Sequence, residues 1–273
     1  MSSAPVIVRR ARPLLGTLVD ISAQGDRAER AVQSAFAAVM RVQRLMSFHT
    51  RGSDVDRLNK LARRTPVAVH PWTWRVLREA QRLSAVSRGT FDITVAGCLV
   101  RWGYLPKRRS AAVDRRADWH DVVLLPGQRV RFRKRLLIDL GGIAKGFAVD
   151  RAIDRLRAHG VLGAMVNAGG DLRAFGGAPQ RIHVRDPRHP ARLIACADLQ
   201  TGAVATSASY FAASTWRSKL VSPLVDRRRR ASTNRSSVTV AAPTCMLADA
   251  LTKVGLLRGP GPVRRLGGQP MIL

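Results

Sequence analysis

Two glycine pairs, each preceded by an apolar run, restrict what this chain can fold into more than any other feature. In LLIDLGGIAKGFAVDRAIDRLRAHG the apolar run leads into Gly141 and Gly142, and apolar residues then recur at helical spacing. In GAMVNAGGDLRAFG a strand-like run leads into Gly169 and Gly170 and continues briefly beyond them. We therefore predict a strand, a glycine loop and a helix for the first segment, and a strand, a glycine turn and a continuation for the second.

Helical and strand-like patterns alternate along the rest of the chain. Apolar residues at three- and four-residue steps predict an amphipathic helix over residues 26–45. Further helices are predicted at about 72–87, from a Ser53 cap to about residue 59, and around 246–251. Strands are predicted within 12–22, twice between 106 and 135, in IHVRDP, ARLIACADL, AVATSAS and SSVTVAA, and, as a strand or tight loop, in GTFDITVAG. This order favours a mixed α/β or α+β fold over a regular doubly wound sheet.

The hydropathy pattern argues against a membrane protein. No stretch approaches the roughly 18 uninterrupted apolar residues of a membrane span, and the amino terminus lacks the apolar core of a signal peptide. The 3 cysteines are widely separated and give no disulfide framework. We expect a single domain over residues 1–273, no transmembrane segment and a cytoplasmic location.

The net charge of +29, from 47 basic and 18 acidic residues, raises the alternative of a nucleic-acid-binding module. Most of the basic residues are arginines scattered over polar positions, and the clusters at 107–109 and 227–230 fall in predicted loops. No aromatic residues interleave with these clusters, as a stacking surface would require. We therefore expect no specific nucleic-acid partner, and DNA retention that is lost at moderate salt would reflect counterion release alone.

The loop DLGGIAKG has the parts of a phosphate cradle. Gly141 and Gly142 allow the backbone to approach a phosphate, the following helix supplies unpaired N–H groups, and Lys145 adds a cation. The spacing is that of neither a Walker A loop nor GxGxxG. A plain strand-to-helix turn with a surface lysine explains the same pattern. Asp171, after the second glycine pair, fits either the same pocket or a capping role.

Asp249 lies in the otherwise apolar helical run MLADAL, where a buried carboxylate needs a cation or a paired donor. Mg²⁺ prefers oxygen ligands and substrate phosphates, so Asp249, Thr252 and a carbonyl of the glycine loop form a candidate site. An exposed helical aspartate is the simpler alternative. The histidines form neither HExxH nor a Cys/His cluster, which argues against zinc, and a GxSxG serine-hydrolase elbow is absent.

Taken together, these segments resemble the ApbE family, the FAD:protein FMN transferases. Seven blocks carry the resemblance in order from about residue 14 to 257: LLGTLVDI, MSFHTRGSDVDRLN, GTFDITV, DLGGIAKGFAVDRA, VNAGGDLRAFG, AVATSASY and SVTVAAPTCMLADALT. The combination of DLGGIAKG with NAGGD is highly specific. The resemblance implies a T-fold-like α/β unit in which a cleft between two halves holds FAD.

The resemblance also implies a reaction and its residues. Magnesium-dependent transfer would leave FMN on a Thr or Ser hydroxyl of an acceptor flavoprotein and release AMP. The implied FAD contacts are Leu15, His49, Thr90, Phe91, Asp92, Asp139 and Lys145. The implied Mg²⁺ ligands are the Gly142 carbonyl and Asp249, assisted by Thr252.

Two positions depart from the family pattern. In KLVSPLVD, Lys219 stands at the usual histidine and Ser222 at the usual aspartate, which alters the expected base. Lys253 stands where the metal-binding threonine usually falls, one residue after Thr252. We therefore take Lys219, Asp249 and Lys253 as the candidate catalytic residues and expect Lys253 to contact phosphate while Asp249 binds Mg²⁺. A flavin-binding protein or an FAD pyrophosphatase without transferase activity remains the alternative.

Overall fold

A seven-stranded antiparallel sheet organises the protein in the computed structural model, which describes residues 6–107, 112–187, 189, 191–208, 213–233 and 236–272. Its strands, in spatial order, are β1 (Ile7–Leu14), β2 (Thr17–Gln24), β6 (Gly163–Ala168), β7 (Asp171–Gly176), β10 (Gly202–Ala208), β13 (Ser237–Ala242) and β14 (Gln269–Ile272). Every neighbouring pair is antiparallel. Arg108, Arg109 and Tyr210, which belong to sequence blocks named above, lie outside the described residues.

Three small antiparallel sheets accompany the large one. They comprise β3 (Val67–Ala68) with β5 (Arg129–Phe132) and β4 (Val122–Leu125), β8 (Gln180–Arg185) with β9 (Leu193–Leu199), and β11 (Ser214–Trp216) with β12 (Lys219–Val221). The two short strands predicted between residues 106 and 135 are β4 and β5, so that prediction is confirmed.

Seven α-helices complete the described part of the chain. They are α1 (Ala28–Met46), α2 (Asp54–Leu61), α3 (Pro71–Val86), α4 (Ala96–Arg101), α5 (Ala144–Ala158), α6 (Cys245–Arg258) and α7 (Pro260–Arg265). The predicted apolar face of α1 is buried, and it packs against α5 and the sheet in one hydrophobic core. Ser53 caps α2 by accepting the Asp56 N–H, as predicted. The mixed α/β fold is confirmed, and a single domain over 1–273 stays a prediction.

The strand predicted before the first glycine pair is wrong. Residues 136–140 are mostly buried but belong to none of the described sheets. The Asn59 side chain donates to the Ile138 carbonyl at 3.0 Å and accepts the Ile138 N–H at 2.8 Å. A side-chain amide therefore pairs with both backbone groups that a neighbouring strand would otherwise pair.

Of the two alternatives for GTFDITVAG, a strand or a tight loop, the strand is wrong and residues 89–91 form a turn and a bend. Asp92 accepts the Thr94 N–H at 2.8 Å and begins a 3-10 helix at Ile93–Val95, which continues into α4. The β-branched residues favoured a strand, but the Asp92 cap supplies the local alternative of a helical turn. Among the described residues, no helix is long and apolar enough to cross a membrane.

Candidate active site

A pocket of about 420 Å³ opens beside the first glycine pair. Its lining brings together predicted site residues from three separate segments: Thr90, Phe91, Asp92, Asp139, Gly142, Lys145 and Lys253. Gly141 and Ser207 line it as well. The loop before α5, the 90–92 segment, the end of β10 and one face of α6 therefore share one cavity.

Lys145 and Lys253 line this pocket and pair with the buried carboxylates of Asp171 and Asp249, and we call these four side chains the charge cluster. The Lys145 ammonium pairs with Asp171 and lies 3.9 Å from Asp249 Oδ1. The Lys253 ammonium pairs with the same Asp249 oxygen. Both carboxylates are fully buried, whereas the two lysines are 30% and 21% exposed toward the pocket. The cluster is neutral when all four groups are ionised.

The electrostatics of the cluster differ for its two carboxylates. Burial and the Asp249 charge raise the pKa of Asp171 to about 6, although Lys145 and Lys253 oppose this. Burial also works against the Asp249 carboxylate, but Lys145 and Lys253 outweigh it and keep its pKa below the usual range. Burial disfavours the charged form of Lys145, yet Asp249 and Asp171 raise its pKa. Asp249 is therefore held ionised, and Asp171 is the titratable member of the pair.

Hydrogen bonds between α5 and α6 fix the position of Asp249. The Gly146 N–H, in the first turn of α5, donates to Asp249 Oδ2 at 3.0 Å. Asp150, one turn further along α5, accepts the N–H groups of Cys245 and Met246 at 3.0 and 2.9 Å and pairs with Arg173. A carboxylate at the start of α6 is favoured by the unpaired N–H groups there. The glycine loop and the Asp249 helix are thus joined directly.

Asp92 and Asp139 support the pocket wall. Asp92 accepts from Arg229 at 3.0 Å and from the Thr94 hydroxyl at 2.7 Å, and burial raises its pKa against the effect of Arg229. Asp139 accepts the Gly141 N–H at 3.0 Å, and burial raises its pKa although His49 opposes this. The Asp92 oxygens are engaged by the protein itself, so its carboxylate orients the 90–94 segment.

Five predicted site residues lie outside the pocket lining, and one of them is Asp249, which belongs to the charge cluster. Leu15 has a φ of +56° in the β1–β2 turn, where its N–H donates to Gln43. His49 is exposed but close enough to influence Asp139. Lys219 is exposed in β12, and the structure does not bring it to the pocket. Thr252 is buried behind the lining, on the helix turn that carries Asp249.

The Ser222 hydroxyl bonds to the backbone and has a structural role. Ser222 is fully buried, and its hydroxyl bonds to the Ser232 carbonyl and lies 3.3 Å from the Leu224 N–H. These bonds tie together the two ends of the 222–232 loop. Ser222 therefore does not replace the family aspartate as a base within reach of the pocket.

The side chains around Asp249 do not fit a divalent metal ion as the structure places them. Asp249 Oδ1 accepts a hydrogen bond from the Lys253 ammonium, and Oδ2 accepts one from the Gly146 N–H. The Thr252 hydroxyl lies 2.6 Å from the Asp249 carbonyl oxygen and 2.8 Å from Ser207 Oγ. An ammonium about 4 Å from a divalent ion would repel it by roughly 8 kcal/mol at an effective dielectric constant of about 20. In the described part of the chain, no group of three or more His, Cys, Asp or Glu side chains could hold a metal.

Of the three predicted ligands, the Gly142 carbonyl is the one that would suit a metal ion. Its usual helical donor, the Gly146 N–H, points to Asp249 instead. A Cβ built on Gly142 would lie 3.7 Å from Lys253 Cε, so the lysine side chain passes directly beside this loop. The predicted ligands do converge, but the Lys253 ammonium already occupies their meeting point, and we assign no step to Mg²⁺.

A second cavity, of about 780 Å³, concerns the nucleic-acid alternative. Arg227, Arg228 and Arg229 line it together with Trp119 and His120, whose rings stack 3.6 Å apart. The fold therefore places aromatic rings beside an arginine cluster that has none in its sequence neighbourhood. Because the two rings cover one face of each other, and Arg229 is held by Asp92, the resemblance to a stacking platform is limited.

Sequence reasoning missed several residues that build the site. Ser207 lies 2.8 Å from the Thr252 hydroxyl and 3.1 Å from Lys253 Nζ, and only its place in AVATSAS could have drawn attention to it. Gly146 and Asp150 link the two helices, and the third glycine of DLGGIAKG was a usable signal for the first of them. Nothing in the spacing of Arg229 indicated its contact with Asp92, which is 137 residues away.

Comparisons with known proteins identify the family. The model of the ApbE family matches residues 15–269. A Vibrio cholerae protein named FAD:protein FMN transferase is 31% identical over 76% of this chain and 66% of its own length. One of the same name from Haemophilus influenzae is 27% identical over 82% of this chain and 71% of its own length. The chain thus spans about two thirds of these relatives.

Solved structures show the same fold. The crystal structure of an ApbE protein from Thermotoga maritima superposes with a TM-score of 0.87 at 26% identity, covering 98% of this chain and 94% of that one. The apo form of the flavinyl transferase ApbE from Pseudomonas stutzeri gives a TM-score of 0.81 at 25% identity, covering 97% and 89%.

Proposed function

This chain belongs to the ApbE family, and we propose that it is an FAD:protein FMN transferase. The observation that carries the proposal is the charge cluster, whose two lysines line the same pocket as Gly141 and Gly142. Such an arrangement suits a diphosphate, because ammonium groups attract its oxygens. The names of the relatives support flavin dinucleotide as the ligand.

The proposed reaction is phosphoryl transfer to a protein hydroxyl. The Oγ of a Thr or Ser of the acceptor flavoprotein attacks the phosphorus on the FMN side of FAD and forms a new P–O bond. The bond from that phosphorus to the bridging oxygen breaks, and AMP leaves with this oxygen. The hydroxyl proton passes to solvent. Catalysis of this kind depends mainly on alignment and on neutralising charge in the transition state.

The residues of this chain have separate tasks in that reaction. Lys145 supplies positive charge to the phosphate oxygens, while Asp171 and Asp249 hold its ammonium in place. The backbone of Gly141 and Gly142 allows the diphosphate to approach closely, and Phe91 gives the pocket an apolar wall. Lys219 remains outside this scheme because it is exposed on β12 and does not line the pocket.

Co-expression with candidate flavoproteins tests the proposal. We expect mass spectrometry to find an added FMN on a Thr or Ser of one of them, with release of AMP from FAD in the purified reaction. Replacing that acceptor residue by Val or Ala is the matched control and should abolish labelling. Free FMN and AMP without a labelled protein would identify a pyrophosphatase, and bound but intact FAD a flavin-binding protein; either result would contradict the transfer step.

The pH dependence of FAD binding should report the state of Asp171. As pH falls through about 6, Asp171 takes up a proton and the charge cluster changes from neutral to a net positive charge. We expect the affinity for FAD to rise by about fivefold, equivalent to about 1 kcal/mol of attraction for the diphosphate. Fluorescence titrations across this range measure it. Asp171→Asn should remove the change, and the same pH profile in this variant would assign it to another group.

A further inference from the structure

We propose that the Lys253 ammonium is a built-in cation that takes the place of a divalent ion at Asp249, so that this protein binds FAD without metal. The inference rests on the proposed function for its ligand. It concerns the one place where the geometry departs from the metal site that the sequence predicted.

The Lys253 ammonium is held as a bound cation would be. It donates to Asp249 Oδ1, to the Asp249 carbonyl at 3.0 Å and to Ser207 Oγ at 3.1 Å. An ammonium has three protons, and these three oxygens use all of them. The oxygens come from a side-chain carboxylate, a backbone carbonyl and a hydroxyl, which are also the types of ligand that a hard cation prefers.

The helix holds the ammonium at this point. Lys253 follows Asp249 by one helical turn on α6, the spacing at which two side chains on one helix face meet. Asp249 cannot turn away, because its other oxygen accepts the Gly146 N–H and its side chain is completely buried. Ser207 is fixed in turn by the Thr252 hydroxyl at 2.8 Å.

The charge balance of the cluster also argues against a divalent ion at Asp249. The two ammonium groups of the cluster already neutralise its two carboxylates, and both approach the same Asp249 oxygen. A divalent ion would add two positive charges beside two fixed ones. Lys253 lines the pocket next to Gly142, so its positive end lies where the diphosphate of FAD is expected.

Binding measurements with and without metal test the inference. In native protein, quenching of flavin fluorescence should give the same FAD affinity in excess chelator and in excess Mg²⁺. Calorimetry with Mg²⁺ alone should give no saturable heat. For Lys253→Thr we expect the affinity in chelator to fall on the order of tenfold, because a positive charge beside the diphosphate is lost, and to recover when Mg²⁺ is added. The same variant should show saturable Mg²⁺ binding.

The chain offers a matched control. Lys60 pairs with buried Asp56 at the same helical spacing in α2, with an ammonium-to-carboxylate distance of 2.8 Å, and neither residue lines the pocket. Lys60→Thr should change neither FAD affinity nor the response to Mg²⁺. Native FAD binding that is lost in chelator, or saturable Mg²⁺ binding by native protein, would overturn the inference. Absence of FAD binding under every condition would contradict the proposed function instead, while calorimetry would still decide the role of Lys253.

Discussion

Replacing Asp249 by asparagine is expected to lower flavin transfer by about 10²- to 10³-fold and to destabilise the fold by about 3 kcal/mol. Asparagine keeps the shape of the side chain and an oxygen that can accept the Gly146 N–H. It removes the charge that holds both lysines, so Lys253 loses its carboxylate partner and Lys145 keeps only Asp171. Since both ammonium groups are partly exposed, the loss of stability should be near the lower end for a buried pair.

Transfer kinetics and denaturant unfolding measure the two effects of Asp249→Asn separately. Asp154→Asn on α5 is a suitable control, because Asp154 is 44% exposed and pairs with Arg151 in the same helix. A surface pair of this kind contributes at most about 1 kcal/mol, so this variant should retain both activity and stability. If Asp249→Asn kept native transfer rates, the charge cluster would not take part in the reaction.

Local patterns predicted those parts of the fold that local forces determine. The buried face of α1 follows from apolar residues at helical spacing, and the start of α2 follows from a Ser53 side chain that accepts the Asp56 N–H. Each signal lies within a few residues of its effect. The turn at the second glycine pair was predictable for the same reason, since its positive φ at Gly169 and Gly170 depends on glycine itself.

The strand predicted at 136–140 is wrong because its backbone pairs with a residue far away in the sequence. Its apolar run looks like a strand, but its backbone partner is the side chain of Asn59, 79 residues earlier. Sequence spacing carries no information about such a contact. A buried segment outside any sheet and a true strand have the same hydrophobic pattern, and only the three-dimensional structure distinguishes them.

The sequence predicted which residues belong to the candidate site better than it predicted which of them pair with one another. Motifs identified Lys145, Asp249 and Lys253, but they did not indicate that Lys253 would close on Asp249. The Lys253–Asp249 contact follows from their spacing of four residues on α6. The approach of Lys145 to Asp249 depends on the rotation of α6 against α5, which the Asp150 bonds to Cys245 and Met246 fix. The resemblance therefore identified the charged residues of the site, and the packing of α5 against α6 determined that Lys145 approaches Asp249.

Gly146→Ala is the second variant for which we expect a large effect, and its sign is opposite to that of helix propensity. Alanine in a helix is normally favoured over glycine by about 1 kcal/mol. Here the added Cβ would lie 2.2 Å from the Cys245 carbonyl oxygen and 2.8 Å from the Met246 nitrogen. These are backbone atoms at the start of α6, so no side-chain rotation can relieve the overlap.

The α6 helix must then move away from α5, which breaks the Gly146–Asp249 hydrogen bond and strains the Asp150 cap. We expect Gly146→Ala to lower the free energy of unfolding by about 3 kcal/mol and to reduce transfer below detection. Gly261→Ala in α7 is the control, because its Cβ would meet only the end of the Arg265 side chain at 3.7 Å. Native stability and transfer in Gly146→Ala would mean that Asp249 keeps its position without close contact between the two helices, and the geometry assigned to the charge cluster would then have no structural basis.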